Sequence, residues 1–466
     1  MVSPLPFTRA VLLLLWVVGS LVPLGGADDP FAEIESVATK LLCASVLAQG
    51  IDEEGTRTEL PKFVKCAGFL NNGTVVQGGI DNNDLALVAT IDEGVVVAFR
   101  GTITRGERLY SDWLQDLQVI LVKPKDFPGR VHAGFYTAVG GLWADKFLWE
   151  TSKRTWMRRN VRILSRLRVK KPKVWLKDEV ERQVGLALAA ETGGDDDASK
   201  KKTTVWVTGH SKGGGLAPIA AYLLHSAGYT VRTAAFASPN PGNFDFAEAY
   251  DAEVPQISYE NYVDLVALTP HAFFHYVFDK QDKDEKEASL LKSIGEFLNL
   301  SDVEKSADAD VKKEMPKKYA ARKQGKEPEE EEPKEFSYVP VGKRVVIGPE
   351  GVRTTPAESP DDERIKAILD AVGPLYDAED GLIDGAGAVV GKLFEYHCKQ
   401  CPCAEDCGDN GICQGRYVLG IPGALESVCG GAAAAAEETI IEQAKADDAD
   451  DDDDSGEKTK KDDSEL

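Results

Sequence analysis

The chain has little of several things, and each scarcity narrows what it can be. Only three of its 466 residues are Met, against seven Trp, and no internal repeat is visible, so this is the composition of neither a coiled coil nor a repeat array. Basic charge is outweighed: 54 Lys and Arg against 77 Asp and Glu leave a net charge of −23, a field that argues against nucleic acid as a partner. Apart from one short apolar run, Ala10 to Val18, no segment is apolar enough to cross a membrane. Histidine is scarce as well, with six in all. Any chemistry that needs a general base at neutral pH therefore has few residues to choose from.

What is present points to a globular chain. Hydrophobic residues make up 43% of it, enough for a sizeable core in one large domain with inserts or in two domains. Arg9, the apolar run and the small residues Gly25-Gly26-Ala27 read as a secretory signal over residues 1–27, with an uncleaved anchor as the other reading. The acidic charge is concentrated at the far end, where Glu437 to Leu466 hold fourteen acids and four lysines. Residues 431–466 thus read as a disordered acidic tail, whose last residues resemble an ER-retention signal only in their final Glu465-Leu466. The expected place is the secretory pathway, either secreted or in the ER lumen. Eight cysteines fit that route and favour disulfides over a metal site. Cys43 and Cys66 stand early and the other six cluster between Cys398 and Cys429, with no connectivity readable from spacing. Asn72-Gly73-Thr74 and Asn299-Leu300-Ser301 are possible glycosylation sequons.

Periodicity predicts a helix from Phe31 to about Leu47, with Ile34, Val37, Ala38, Leu41 and Leu42 on one face. Leu85–Thr90 and Val95–Phe99 read as strands joined by a turn at Asp92-Glu93-Gly94. Helices are expected over Ala133–Trp149, with Trp143, Phe147 and Leu148 inward, and over Lys177–Glu191, then a strand at Arg232–Ala237. Strands alternating with helices imply an α/β fold with a central, mostly parallel sheet and helices on both faces. Residues 28–278 and 336–430 would form the core, interrupted at 279–335 by a Lys/Glu-rich insert too poor in large apolar residues to bury itself. Residues 153–177 hold eleven Lys and Arg and no acid, with Arg154, Arg158, Arg162 and Arg166 at helical spacing. They read as a basic amphipathic helix for anionic lipid, or as a solvated face or a partner for the acidic tail.

The chemistry centres on Gly209-His210-Ser211-Lys212-Gly213, which follows the strand-like Val205-Trp206-Val207-Thr208 and precedes a small-residue helical stretch. Gly-x-Ser-x-Gly between strand and helix is the nucleophile elbow of the α/β-hydrolase fold: its glycines permit a tight turn that lifts the serine hydroxyl clear of the sheet. A serine needs a histidine to take its proton and a carboxylate to orient that histidine, in the chain order Ser, Asp, His. Asp264, flanked by apolar residues at a strand end, is the acid candidate. Four histidines follow Ser211, namely His225, His271, His275 and His397. His225 falls on the helix after the elbow, so His397 is the first candidate and His275 the second. An oxyanion hole would take the backbone N–H of Lys212 and a donor after an earlier strand, where Phe99-Arg100-Gly101-Thr102 offers Thr102.

These residues resemble a class 3 (fungal-lipase-type) lipase from Leu85 to about His397, through motifs in the right order. Phe99–Thr102 is similar to the family's oxyanion strand, with Thr102 at the oxyanion Ser/Thr position. Asp112–Leu117 resembles its lid and hinge, with a lid over about 104–117, and Val131–Phe135 resembles a motif whose His132 is structural. Ser238–Asn243 and Asn261–Pro270 resemble the segments after the elbow, the latter carrying the catalytic Asp, and Phe336–Ile347 resembles the next strand. Lys212 departs from the usual leucine and would put a charge near the acyl pocket. The resemblance implies a serine hydrolase of lipid esters, foremost triacylglycerols or partial glycerides, with no cofactor and no metal. A phospholipase A1 or galactolipase is the alternative within that chemistry. A non-catalytic luminal acidic binding protein is the alternative outside it.

Overall fold

A computed structural model of the chain describes residues 29–51, 61–80, 83–102, 121–144, 169–192, 203–269, 338–348 and 351–372, together with Lys392, His397, Gly420, Ile421 and Ala424. The expected signal peptide, lid, charged insert, late cysteine cluster and acidic tail lie outside the described residues, as do His271 and His275.

Nine strands form one mixed sheet: β1 (Thr74–Ile80), β2 (Asp84–Ile91), β3 (Gly94–Phe99), β6 (Val169–Lys170), β7 (Thr204–His210), β8 (Thr230–Phe236), β10 (Gln256–Asn261), β12 (Lys343–Ile347) and β13 (Arg353–Thr354). Their spatial order is β13-β12-β10-β8-β7-β3-β2-β1-β6. The central β12, β10, β8, β7 and β3 run parallel, while β2, β1 and β6 close one side antiparallel and β13 closes the other. Four short strands, β4 (Leu121–Val122), β5 (Val131–His132), β9 (Gly242–Asn243) and β11 (Tyr338–Val339), make a second, antiparallel sheet. The described helices are α1 (Pro30–Gln49), α2 (Pro61–Ala67), α3 (Ala133–Trp143), α4 (Leu176–Thr192), α5 (Lys212–Ser226), α6 (Phe244–Glu253) and α7 (Asp361–Val372).

The two-residue repeat of the strands sorts side chains onto two cores. Val95, Val97 and Phe99 of β3, with Val205 and Val207 of β7, pack with α3, α4, α5 and α6. Val96, Ala98 and Trp206 point the other way, with Phe236, Ile257 and Tyr259, onto α1. The sheet is thus covered on both faces, as parallel strands require. Helix α1 starts where Asp29 accepts a hydrogen bond from the Phe31 N–H and Pro30 sets the first turn. Its predicted apolar face, Ile34 to Leu42, is fully buried. Cys43 of α1 is disulfide-bonded to Cys66 of α2.

Three expectations need correction. The helix predicted over Ala133–Trp149 stops at Trp143, because Ala144 turns to an extended backbone (φ −164°, ψ 153°). The sequence holds no stop signal there, so periodicity overran; Phe147 and Leu148 lie outside the described residues. The basic segment 153–177 is not one helix to its end: Val169 and Lys170 pair with β1 as strand β6, and α4 starts only at Leu176. The single strand expected at Phe336–Ile347 is divided between β11 in the small sheet and β12 in the large one. Gly342, at φ +76°, makes the break.

Candidate active site

The parallel strands deliver the candidate residues to one end of the sheet. β3 leads into Gly101-Thr102, β7 into Ser211, and β10 into the turn that carries Asp264. This is where ligands bind in open α/β sheets, outside the carboxyl ends of the strands.

Ser211 joins β7 to α5 in a backbone conformation rare for a residue with a side chain, φ 58° and ψ −126°. Such a conformation costs on the order of 1–3 kcal/mol and persists only where the surroundings over-determine it. Here they do. The Ser211 N–H donates to the Phe236 carbonyl at 2.9 Å. Both flanking glycines are required by close approach: a Cβ on Gly209 would strike the Gly213 backbone, and one on Gly213 would strike the Phe99 carbonyl.

Asp264 is fully buried, three residues beyond the end of β10. The Val266 N–H donates to its Oδ1 at 2.9 Å. His397 arrives from far along the chain, and its Nδ1 lies 3.0 Å from both Oδ1 and Oδ2 of Asp264. The Nε2 of this buried ring has no hydrogen-bond partner among the described residues. The His397 ring sits 4.8 Å, centroid to centroid, from that of His210, the residue just before Ser211. Burial holds His210 well below the ordinary histidine range, and the neighbouring His397 pushes in the same direction. His210 is therefore a neutral wall of the site.

Thr102 is buried, and its Oγ1 also has no hydrogen-bond partner among the described residues. The chain before it is pressed against the elbow: a Cβ on Gly101 would lie 2.8 Å from the His210 carbonyl oxygen and 3.5 Å from Ser211 Cβ. Lys212 opens α5, directly after Ser211. The charge expected from its side chain is paired. Nζ lies 3.3 Å from Asp84 Oδ1, and the exposures of the two side chains are only 10% and 9%. A buried cation is kept by such pairing, because desolvation alone would be too costly.

The remaining candidates fall elsewhere. The Nδ1 of His132 accepts the Phe135 N–H at 3.2 Å and so caps α3. His225 lies at the far end of α5, 3.4 Å from Glu253. No cluster of three His, Cys, Asp or Glu able to hold a metal occurs among the described residues. Three supporting residues were not read from the sequence: Gln49, Asp84 and Arg364. Arg364 of α7 donates to the carbonyls of Asn261 at 3.0 Å and Tyr262 at 3.1 Å, just ahead of Asp264. None of the three stands in a motif, and each is far in sequence from the group it serves.

Residues 96–274 match the family model of class 3 lipases. The chain carries a class 3 lipase region, of the α/β-hydrolase superfamily. The matched span includes Ser211, Asp264, Thr102 and Lys212, while His397 and α1 lie outside it. Among solved structures, the chain is similar to a lipase from Rhizopus microsporus var. chinensis, with 17% identity over 54% of this chain and 72% of that one at a TM-score of 0.33. Lipase II from Rhizopus niveus has 16% identity over 52% and 76%, and the Rhizomucor miehei triacylglyceride lipase 18% over 53% and 77%, both at a TM-score of 0.33. Likenesses at this level carry no inference about the chain. No curated protein matches it in sequence.

Proposed function

We propose that this protein is a lipase, which hydrolyses glyceride esters, tri- or partial acylglycerols, through a Ser211–His397–Asp264 triad and an acyl-enzyme. The observation that carries the reading is the bifurcated contact of His397 Nδ1 with both oxygens of Asp264 at 3.0 Å, with Nε2 left unpaired beside the elbow. Asp264 fixes the tautomer that protonates Nδ1, so Nε2 is the basic nitrogen. Ser211 Oγ attacks the acyl carbonyl carbon and passes its proton to Nε2. The carbonyl oxygen becomes an oxyanion, held by the backbone N–H of Lys212 and by Thr102. His397 then gives the proton to the departing alcohol. Water, activated by the same nitrogen, attacks the acyl-enzyme and frees the fatty acid. No step requires a cofactor or a metal.

Further features fit this reading. The Cys43–Cys66 disulfide supports an oxidising, secretory compartment. The eleven cations of residues 153–177 would draw the protein to an anionic lipid surface. If they do, reversing Arg158, Arg162 and Arg166 will abolish salt-sensitive binding to phosphatidylserine vesicles and leave turnover of a soluble ester intact. Unchanged binding would remove that role.

The decisive test measures hydrolysis of p-nitrophenyl esters, triolein, diolein, phosphatidylcholine and a galactolipid by the oxidised protein. Ser211→Ala and His397→Ala should each lower kcat by about ten-thousand-fold or more, as triad losses do. Loss in Ser211→Ala alone would move the base elsewhere, with His275 next. Preference for the polar lipids would replace the glyceride reading by that of a phospholipase A1 or galactolipase. An inert wild type on every ester would favour a binding protein.

A further inference from the structure

The oxyanion-side backbone is gripped by a residue from outside the matched lipase region. Gln49 is the last residue of α1. Its Nε2 donates to the Thr102 carbonyl at 2.8 Å, and its Oε1 accepts the Gly101 N–H at 2.9 Å. These two groups flank the Gly101–Thr102 peptide, whose N–H is the donor that Thr102 would offer to an oxyanion. With the N–H before that peptide and the C=O after it both held by one side chain, the two Cα atoms that the peptide spans are fixed in place, and with them the axis about which its N–H points. The amide of glutamine is suited to this double task, because one side chain supplies a donor and an acceptor together.

Two further contacts make the grip rigid. Arg100, one residue earlier, is buried and donates to the Ile51 carbonyl at 2.7 Å and the Asn83 carbonyl at 2.6 Å. The end of β3 is thereby tied to the chain just past α1 on one side and to the start of β2 on the other. Gly101 then lies so close to the His210 carbonyl and to Gln49 Oε1 that a Cβ would come within 3.0 Å of both. What remains unpaired at this place is Thr102 Oγ1, buried and facing no acceptor or donor among the described residues. A preorganised donor group of this kind stabilises developing charge because it need not reorient during the reaction.

We propose that Gln49 is a positioning residue for the oxyanion hole: it presets the Gly101–Thr102 peptide for the tetrahedral intermediate. The proposal rests on the triad and oxyanion reading given above. It predicts an effect on the transition state and not on ground-state binding. In the full-length, oxidised protein, Gln49→Ala should lower kcat on a soluble p-nitrophenyl ester by about tenfold to a hundredfold with KM little changed. Affinity for a boronic acid, which mimics the tetrahedral adduct, should fall by the same factor.

Gln49→Glu gives a readout that a merely structural role would not move. As a carboxylate it still accepts the Gly101 N–H but opposes the Thr102 carbonyl with a second acceptor. Once protonated it regains a donor and matches glutamine. The ratio of its kcat to that of wild type should therefore climb toward one as pH falls from about 8 to about 5, toward the glutamate range. A Gln49→Ala protein that keeps kcat within about twofold of wild type would overturn the proposal, given the tenfold or greater loss expected of a misplaced donor. So would a Gln49→Glu ratio that stays flat with pH. Ser211→Ala is run beside them. If it retains activity, the reading of the site has failed and takes the proposal with it. If it is inactive while Gln49 proves indifferent, only the proposal has failed.

Discussion

At Ser211, function and stability pull in opposite directions. Its φ of 58° is a conformation that glycine adopts freely and serine does not. The position carries serine in spite of the strain, which is the pattern expected where a hydroxyl is needed at a fixed point. Ser211→Gly should therefore stabilise the fold by about 1 kcal/mol relative to Ser211→Ala, since alanine keeps a Cβ and the strain with it. Both variants should be inactive, and urea denaturation separates them; equal midpoints would mean that the turn holds no such strain. This turn was legible in the sequence because a single local pattern, two glycines around a serine between strand and helix, has only one way to fold. Gln49 was not legible. It ends an ordinary amphipathic helix, and its partner Thr102 stands 53 positions away. Asp84, too, is an unremarked acid until Lys212 is seen beside it. Pairings of this kind are set by how elements dock, and one sequence holds no record of that.

Among the elements, α7 has the least expected part. Its Arg364 is fully buried and makes ion pairs with Glu260 at 2.7 Å and Asp361 at 3.2 Å, besides holding the Asn261 and Tyr262 carbonyls. Arg344 of β12 closes the group from the other side, 2.6 Å from Glu260 and 2.7 Å from Asp361. The helix is thus locked to the end of β10, from which the Asp264 turn departs. Removing one member of a buried pair leaves the rest uncompensated, so Arg364→Met should cost about 3–5 kcal/mol. Chemical denaturation would read this, and a loss below 1 kcal/mol would mean that water replaces the guanidinium at little cost. The elements themselves were legible in unequal measure. α1, β2, β3 and α4 follow from the sequence within a residue or two of their bounds, the helices because each buries one clear face and the strands because each is a short apolar run, buried on both faces and ended by turn residues. The end of α3 and the division of Phe336–Ile347 between two sheets did not follow. In the first case no stop residue marks the end, and in the second the cause is a long-range pairing of Tyr338 with Asn243.

For the molecule as a whole, the titration of buried groups sets how it meets acid. His210 has a folded pKa well below the ordinary histidine value of 6.5, by burial first and then by the neighbouring His397. Above that value the ring is neutral in both folded and unfolded chains, and it adds no pH dependence. Below it the unfolded chain binds a proton that the folded one refuses, so stability falls as pH falls, by at most about 1.4 kcal/mol per pH unit for one proton. The fall continues until the folded pKa is reached. Asp361 acts lower on the scale. Burial alone would raise its pKa, but the hydrogen bonds and charges of Arg344 and Arg364 outweigh burial and lower it from 3.8. Its contribution is complete above that value and is lost as pH falls through the folded one. Acid should therefore weaken the fold in two stages, the first beginning near pH 6.5 and the second below the ordinary aspartate range. Urea midpoints measured from about pH 8 to about pH 3 test this, with His210→Gln as the control that removes the first titration. The variant should flatten the upper stage and leave the lower one. An upper stage that persists in His210→Gln would assign the early loss to another group and leave the packing of His210 against His397 without that consequence.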